Sequence, residues 1–429
     1  MNKRLFLVTL LLAALCVLAI VPAQAQDETR IVSFLTTFGG SELDALNVSL
    51  NAFTEATGIL VTVESNRSST TVLRTRIAGG NPPDVALISS PAVVAEFARA
   101  GYLIPLVNVD GSAGLVDPSV ITDNYNQAFI DLTTVDGAIY GIMAKAYSKS
   151  TVWYRPASFE EMGFEVPTTW DELMAIQQAY IDAGVTPWSI GAADAWTLTD
   201  WFENIYVRLV GPEMYNGLFL THTVPWTDPT VVEAMQIFQQ VFDPADTNLA
   251  GGTDGTLSTD FITAMNMVFG PDPSAAMYYE GGFVGGILGG NFPDLVAGED
   301  YNFFLFPALN EAQGAPIVGG GDTLVAFSDR PEVAELINWM AGVEGNTLWA
   351  GTNAIISPNV NVDMGVYSTL AANEAQQVVN ADAFVFDGSD LMPSAVTDAF
   401  HTGLQEIVAD PSVIQETLEY IESVAASSY

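Results

Sequence analysis

Positive charge is what this 429-residue chain has least of: 12 lysines and arginines stand against 51 aspartates and glutamates, a formal net charge of −39. Two of those cations, Lys3 and Arg4, sit at the extreme N-terminus, so from Gln26 onward 10 of the 12 remain against all 51 acids. A chain so short of cations has too little charge to neutralise a phosphate backbone, which excludes nucleic acid as a partner. Anionic membrane surfaces and polyanions are disfavoured for the same reason, although a local cationic pocket survives inside a negative global field. Cysteine occurs once, as Cys16. The chain beyond it therefore has no disulfide, no thiol nucleophile and no thiolate metal site. Histidine occurs twice, as His222 and His401, with no accompanying carboxylate spacing, and no EF-hand loop is present. The adjacent Tyr278 and Tyr279 suggest iron only weakly, because neighbouring strand residues face opposite ways. GxSxG, HExxH and phosphate-loop motifs are absent too, so the enzyme reading left open is a secreted carbohydrate-active enzyme with paired carboxylates.

What is present begins with a leader. Lys3 and Arg4 precede an apolar run from Leu5 to Val21 and then Ala23-Gln24-Ala25, the layout of a secretory signal peptide over residues 1–25. Leu15 before Cys16 is too large for a lipoprotein site, so a secreted protein of the periplasm or cell envelope without a lipid anchor is expected. No later run is long and apolar enough to span a bilayer. The remaining chain is long enough for two domains, and its acids are spread evenly, as on a strongly solvated surface.

Arg30–Phe34 reads as a strand, the helix from Glu42 to Thr57 ends at Gly58, Ile59–Glu64 is a second strand, Thr70–Ala78 a helix, and Val85–Ile88 an apolar strand after Asn81-Pro82-Pro83-Asp84. This alternation predicts an α/β fold with a mainly parallel sheet, whose ligand sites lie beyond the carboxyl ends of the strands. Here those ends are the loop Phe38-Gly39-Gly40 leading to Glu42, and Ser89-Ser90. Backbone N–H groups of the loop and the following helix start are open to a ligand, and Glu42 either accepts from ligand hydroxyls or stabilises its own helix. Residues from about 140 to 298 are richer in helix and tryptophan. Helical spacing covers Asp171–Ala183, Leu198–Val210, Pro229–Phe242 and Ser258–Phe269, and Met277–Tyr279, Tyr301–Phe306 and Thr323–Phe327 read as strands.

The most specific stretch is Tyr140–Leu173, YGIMAKAYSKSTVWYRPASFEEMGFEVPTTWDEL. Asp136-Gly137 turns the chain before it, and Ile142–Tyr154 alternates as a half-buried strand that puts Lys145, Tyr147 and Lys149 on one face. Thr169 with Glu172 then forms a capping box, and Trp170 packs at the helix start. With the glycine loop, NPPDVALIS, YYEGGFVGG, VGGGDTLVAFS and the helix containing Ala341-Gly342 in the same order, the chain resembles the family-1 extracellular solute-binding proteins of bacterial ABC importers.

That resemblance implies a two-lobed periplasmic-binding-protein fold with a ligand cleft between the lobes. Its lobes are expected over 26–137 with 306–345 and over 138–305 with 346–429, with crossings near 135–140, 303–310 and 343–350. It implies a non-catalytic receptor, expected as a monomer, that needs no cofactor and hands a mono- or oligosaccharide to a membrane ABC permease. A polyol, uronate or glycerol phosphate is the alternative ligand. Flat rings and a few placed polar groups suit a sugar. By resemblance Phe283 is the stacking candidate, joined by Trp196; Asp322 after Gly320 is an acid near the ligand, and Lys145 and Tyr147 stand where relatives present polar side chains. Trp188, Trp226, Trp339 and Trp349 are expected to pack.

Overall fold

The computed structural model describes residues 30–380 and 383–429, so the leader expected over 1–25 lies outside the described residues. Twelve strands are present among them: β1 (Ile31–Thr36), β2 (Leu60–Ser65), β3 (Val85–Ile88), β4 (Thr134–Val135), β5 (Ala138–Ile139), β6 (Gly141–Ser148), β7 (Thr151–Tyr154), β8 (Trp188–Ser189), β9 (Met277–Glu280), β10 (Asn302–Leu305), β11 (Ile317–Ala326) and β12 (Phe384–Phe386). They form two main sheets and the small hairpin β4–β5.

The first sheet takes its shape from the strand–helix alternation. The helix Ser41–Thr57 ends at Gly58, whose φ of 72° is the left-handed value glycine adopts without strain. β1 consequently lies parallel to β2 and β3. β11 joins antiparallel to β3, with β6 antiparallel on its other edge and β12 parallel at its start. In the second sheet, in order β10-β7-β9-β8, the expected parallel pairing gives way. β7 is antiparallel to both β9 and β10, and only β8 with β9 is parallel. The helices Pro156–Met162 and Trp170–Asp182 return the chain before β8 to the end of the sheet it left, and the helices between Trp196 and Phe269 then cross over to bring β9 in parallel beside β8.

Two local expectations are corrected. The single half-buried strand over Ile142–Tyr154 is two strands in different sheets, buried throughout. Its break is fixed at Lys149, whose carbonyl accepts from Tyr279 Oη at 2.6 Å and from Asn204 Nδ2 at 2.8 Å. The chain thus leaves the first sheet at 149–150, while the Asp136-Gly137 turn closes the hairpin β4–β5. The strand expected to begin at Thr323 begins at Ile317, so the triple glycine lies inside β11. A Cβ on Gly320 would sit 2.5 Å from the buried Tyr147 ring, and one on Gly321 2.6 Å from the Lys145 carbonyl, so glycine fits at these two positions where a larger residue does not.

Two large cores follow the two sheets. One gathers Val32, Phe34, Leu50, Phe53, Val85, Ile142 and Leu324 with Trp349. The other surrounds the helix Trp196–Val210 with Trp188, Trp201, Phe202, Trp226 and Phe400. The expected packing roles hold: Trp188, Trp226 and Trp349 are buried, Trp339 packs against Phe53, and Trp170 stacks on Phe306 above the Thr169–Glu172 capping box.

Candidate functional site

The carboxyl ends of β1 and β3, the middle of β6 and the glycine-rich segment after β9 converge on a cavity of about 390 Å³. Nine of the residues singled out from the sequence line it: Phe38, Glu42, Ser89, Ser90, Lys145, Tyr147, Trp196, Phe283 and Asp322. Gly39 and Gly320 do not, and Gly40 lines a larger neighbouring cavity of about 740 Å³. Gly320 lies beneath the Tyr147 ring and Gly40, with φ of 55°, turns the chain into its helix; both shape the walls from behind.

Lys145 stands at the centre. Its side chain is almost fully buried, with Nζ 3.5 Å from Glu42 Oε1 and 4.5, 5.1 and 5.7 Å from the ring centroids of Phe38, Tyr147 and Phe283. An ammonium held over three ring faces is stabilised by their quadrupoles while its charge is matched by the carboxylate. The other oxygen of Glu42, Oε2, accepts from Arg67 Nη1 at 2.9 Å, so this acid joins two cations. Asp322 accepts from Ser89 Oγ at 2.8 Å, and burial raises its carboxyl above the usual range while Lys145 pulls the other way. Ser90 caps the helix Pro91–Arg99 and donates to the Asp390 carbonyl at 2.7 Å.

The opposite wall is aromatic. Phe283 meets Tyr147 edge to face at 5.3 Å, and Trp196 lies 6.0 Å from Phe283 and 5.4 Å from Phe261. Lys149 closes the floor beneath Trp196, 5.2 Å from its ring. Burial works against that ammonium, but Asp200 and Asp387 outweigh it and raise its pKa well above the ordinary lysine value. Asp200, Glu203 and Asp387 are the one group of three metal-ligating side chains among the described residues. All but one of their oxygens are already engaged, Asp200 Oδ2 being left without a hydrogen-bond partner. Lys149 bonds Asp387 and, at 3.0 Å, Asp200, while Glu203 accepts from the Gly388 and Ser389 amides and from Tyr215 Oη at 2.7, 2.9 and 2.8 Å. The cluster is an internal ion-pair network under the cavity.

Sequence reasoning missed Arg67, Asp194, Phe261, Asp390, Thr397 and His401, all of which also line the cavity. His401 Nε2 is buried without a hydrogen-bond partner, and burial lowers the pKa of the ring, which keeps it neutral.

A family model of bacterial extracellular solute-binding proteins matches residues 39–347. The chain belongs to this family. Its relatives include the osmoprotective compounds-binding protein GgtB of Synechocystis sp., 34% identical over 97% of this chain and 99% of its own length. The alpha-glucosides-binding periplasmic protein AglE of Rhizobium meliloti is 32% identical over 88% of this chain and 84% of its own length. Among solved structures, the bacterial solute receptor AcbH superposes with a TM-score of 0.79 at 18% identity, covering 93% of this chain and 98% of its own. These likenesses establish the two-domain solute-binding fold expected from the sequence.

Proposed function

We propose that this protein captures a neutral mono- or disaccharide-sized glycoside outside the cytoplasmic membrane, closes around it as a monomer and delivers it to an ABC permease. The observation that carries this reading is the pairing of every cation in the cleft: Arg67 and Lys145 share Glu42, and Lys149 is held by Asp200 and Asp387. A uronate or phosphate would have to displace a buried carboxylate, which costs more than it returns in a site of low dielectric. A neutral ligand needs only ring faces and hydrogen bonds. Phe283 and Trp196 offer the faces, and His401 Nε2, Asp322 and the Ser89 hydroxyl offer polar partners. At about 390 Å³ the cavity lies near the small end of ligand pockets, roughly 300–1,000 Å³, which suits one or two sugar rings. The name carried by one relative, an alpha-glucosides-binding periplasmic protein, points to the same chemical class.

A thermal-shift screen with neutral mono-, di- and trisaccharides, polyols, uronates and glycerol phosphate tests this. A neutral glycoside at a hundred times its dissociation constant should add about 2.7 kcal/mol of stability, and Phe283→Ala should weaken its binding at least about tenfold. A response confined to the anionic compounds would overturn the neutral-ligand reading. Shorter products after incubation with oligosaccharides would overturn the receptor reading.

A further inference from the structure

We infer that Arg67 is the clasp that holds the cleft mouth shut, by laying its guanidinium on the Phe261 ring across the two halves of the molecule. The inference rests on the receptor reading above. Arg67 Cζ lies 5.1 Å from the Phe261 centroid, and its side chain is 47% exposed, so it sits at the solvent edge of the cavity while Glu42 behind it is buried. Each partner is fixed to its own half. The Arg67 loop is tied to the Phe38 loop: Ser65 Oγ donates to the Phe38 carbonyl at 2.5 Å, Thr37 Oγ1 donates to the Arg67 carbonyl at 3.2 Å and the Asn66 amide donates to the Thr36 carbonyl at 3.0 Å. Phe261 opens the helix Phe261–Phe269; its amide donates to Asp194 Oδ2 at 2.8 Å and its carbonyl accepts from Tyr278 Oη at 2.8 Å. Asp194, also on the cavity wall, adds a negative charge on the side that receives Arg67.

A ligand that presses on Phe38 and Glu42 therefore presses on the Arg67 loop as well, and separating the two halves breaks the cation–ring contact. A contact made only in the closed form slows opening with or without sugar, so its loss speeds release and also leaves more of the free protein open to sugar.

The test is a double-mutant cycle of Arg67→Met and Phe261→Leu, read in two ways. By stopped-flow tryptophan fluorescence with sucrose as the probe, each single variant should release sugar about fivefold faster, with an association rate no lower than the parent's. The double variant should release it no faster than the faster single, because both changes remove the same contact. Small-angle scattering of the protein without sugar should show a larger radius of gyration for each variant. Additive dissociation rates, or variants that match the parent in both readouts, would overturn the clasp. If sucrose produces no signal in the parent, the fault lies with the choice of sugar or the sugar reading, and the scattering cycle alone decides: opened single variants retain the clasp and unchanged profiles remove it.

Discussion

A carboxyl group's role here depends on what surrounds it after folding. Glu374, on the helix Thr369–Asn380, is nearly fully buried, accepts from the Ser148 amide at 3.0 Å and blocks any side chain at Gly282, where a Cβ would meet its carboxylate at 1.8 Å. Burial pushes its pKa up to about 7, against the opposing pull of the Ser148 amide and Lys145. The folded protein thus keeps a proton that the unfolded chain has lost, so the contribution is fully present below about pH 4.5 and is lost as pH rises through about 7. Its size is on the order of 3 kcal/mol. Glu374→Gln keeps an acceptor for Ser148 and removes the titration. It should match the parent's melting temperature near pH 4.5 and exceed it by a few degrees at pH 8; equal curves at both pH values would show that Glu374 does not carry this dependence. Residues such as Phe38, Glu42 and Ser89 were legible in the sequence because they end strands of an obvious strand–helix alternation. Arg67, Asp194, Phe261 and His401 were not, because nothing local marks them: each reaches the cleft from an element whose own pattern is complete without it.

Among the elements, the helix Trp196–Val210 shows where pattern reading falls short. Its helical character was plain, but Asp200, Glu203, Asn204 and Arg208 form a polar stripe that ordinary amphipathic logic would turn to water. In the structure all four are fully buried, and the stripe faces the segments that link the two sheets. Asn204 donates to the carbonyls of Lys149 and Asp200 and accepts from Ser150 Oγ at 2.6 Å and Arg208 Nη1 at 2.7 Å; Arg208 Nε donates to the Phe306 carbonyl at 3.1 Å. The helix therefore anchors both the departure from the first sheet near Lys149 and the return near Phe306. Replacing Asn204 by leucine strands several buried groups at once and should cost about 2–4 kcal/mol, seen as a lower urea midpoint with unchanged slope. A midpoint within error of the parent would mean that these bonds do not set the stability of the linkage. The same stripe explains the misread strand: the alternation through Lys149 looked continuous because the bonds that end β6 come from residues more than 50 positions away.

On the scale of the whole molecule, the order of elements and the family were legible because they follow from local patterns, whereas the pairing of the second sheet depended on a helical excursion that no local pattern encodes. Charge is the other global property, and it was legible in sign but not in consequence. Of the ten cations from Arg30 onward, Arg30, Arg67, Arg74, Arg76, Arg99, Lys145, Lys149 and Arg330 sit in ion pairs, so most of the 51 acids have no basic partner. The two halves then repel each other, and the repulsion grows as the cleft closes. Salt shortens its reach, from about 30 Å at 0.01 M to about 3 Å at 1 M. For a neutral glycoside, raising potassium chloride across that range should tighten binding, since screening removes a cost of closure and weakens no charge–charge contact with the ligand. For an anionic ligand seated on Lys145, the same titration should loosen binding, because screening weakens the attraction that holds it. Calorimetry along a salt series thus decides between the two ligand classes by the sign of a slope: affinity falling as salt rises would overturn the neutral-ligand reading, and affinity rising would tie the chain's excess of acid directly to the closing of its cleft.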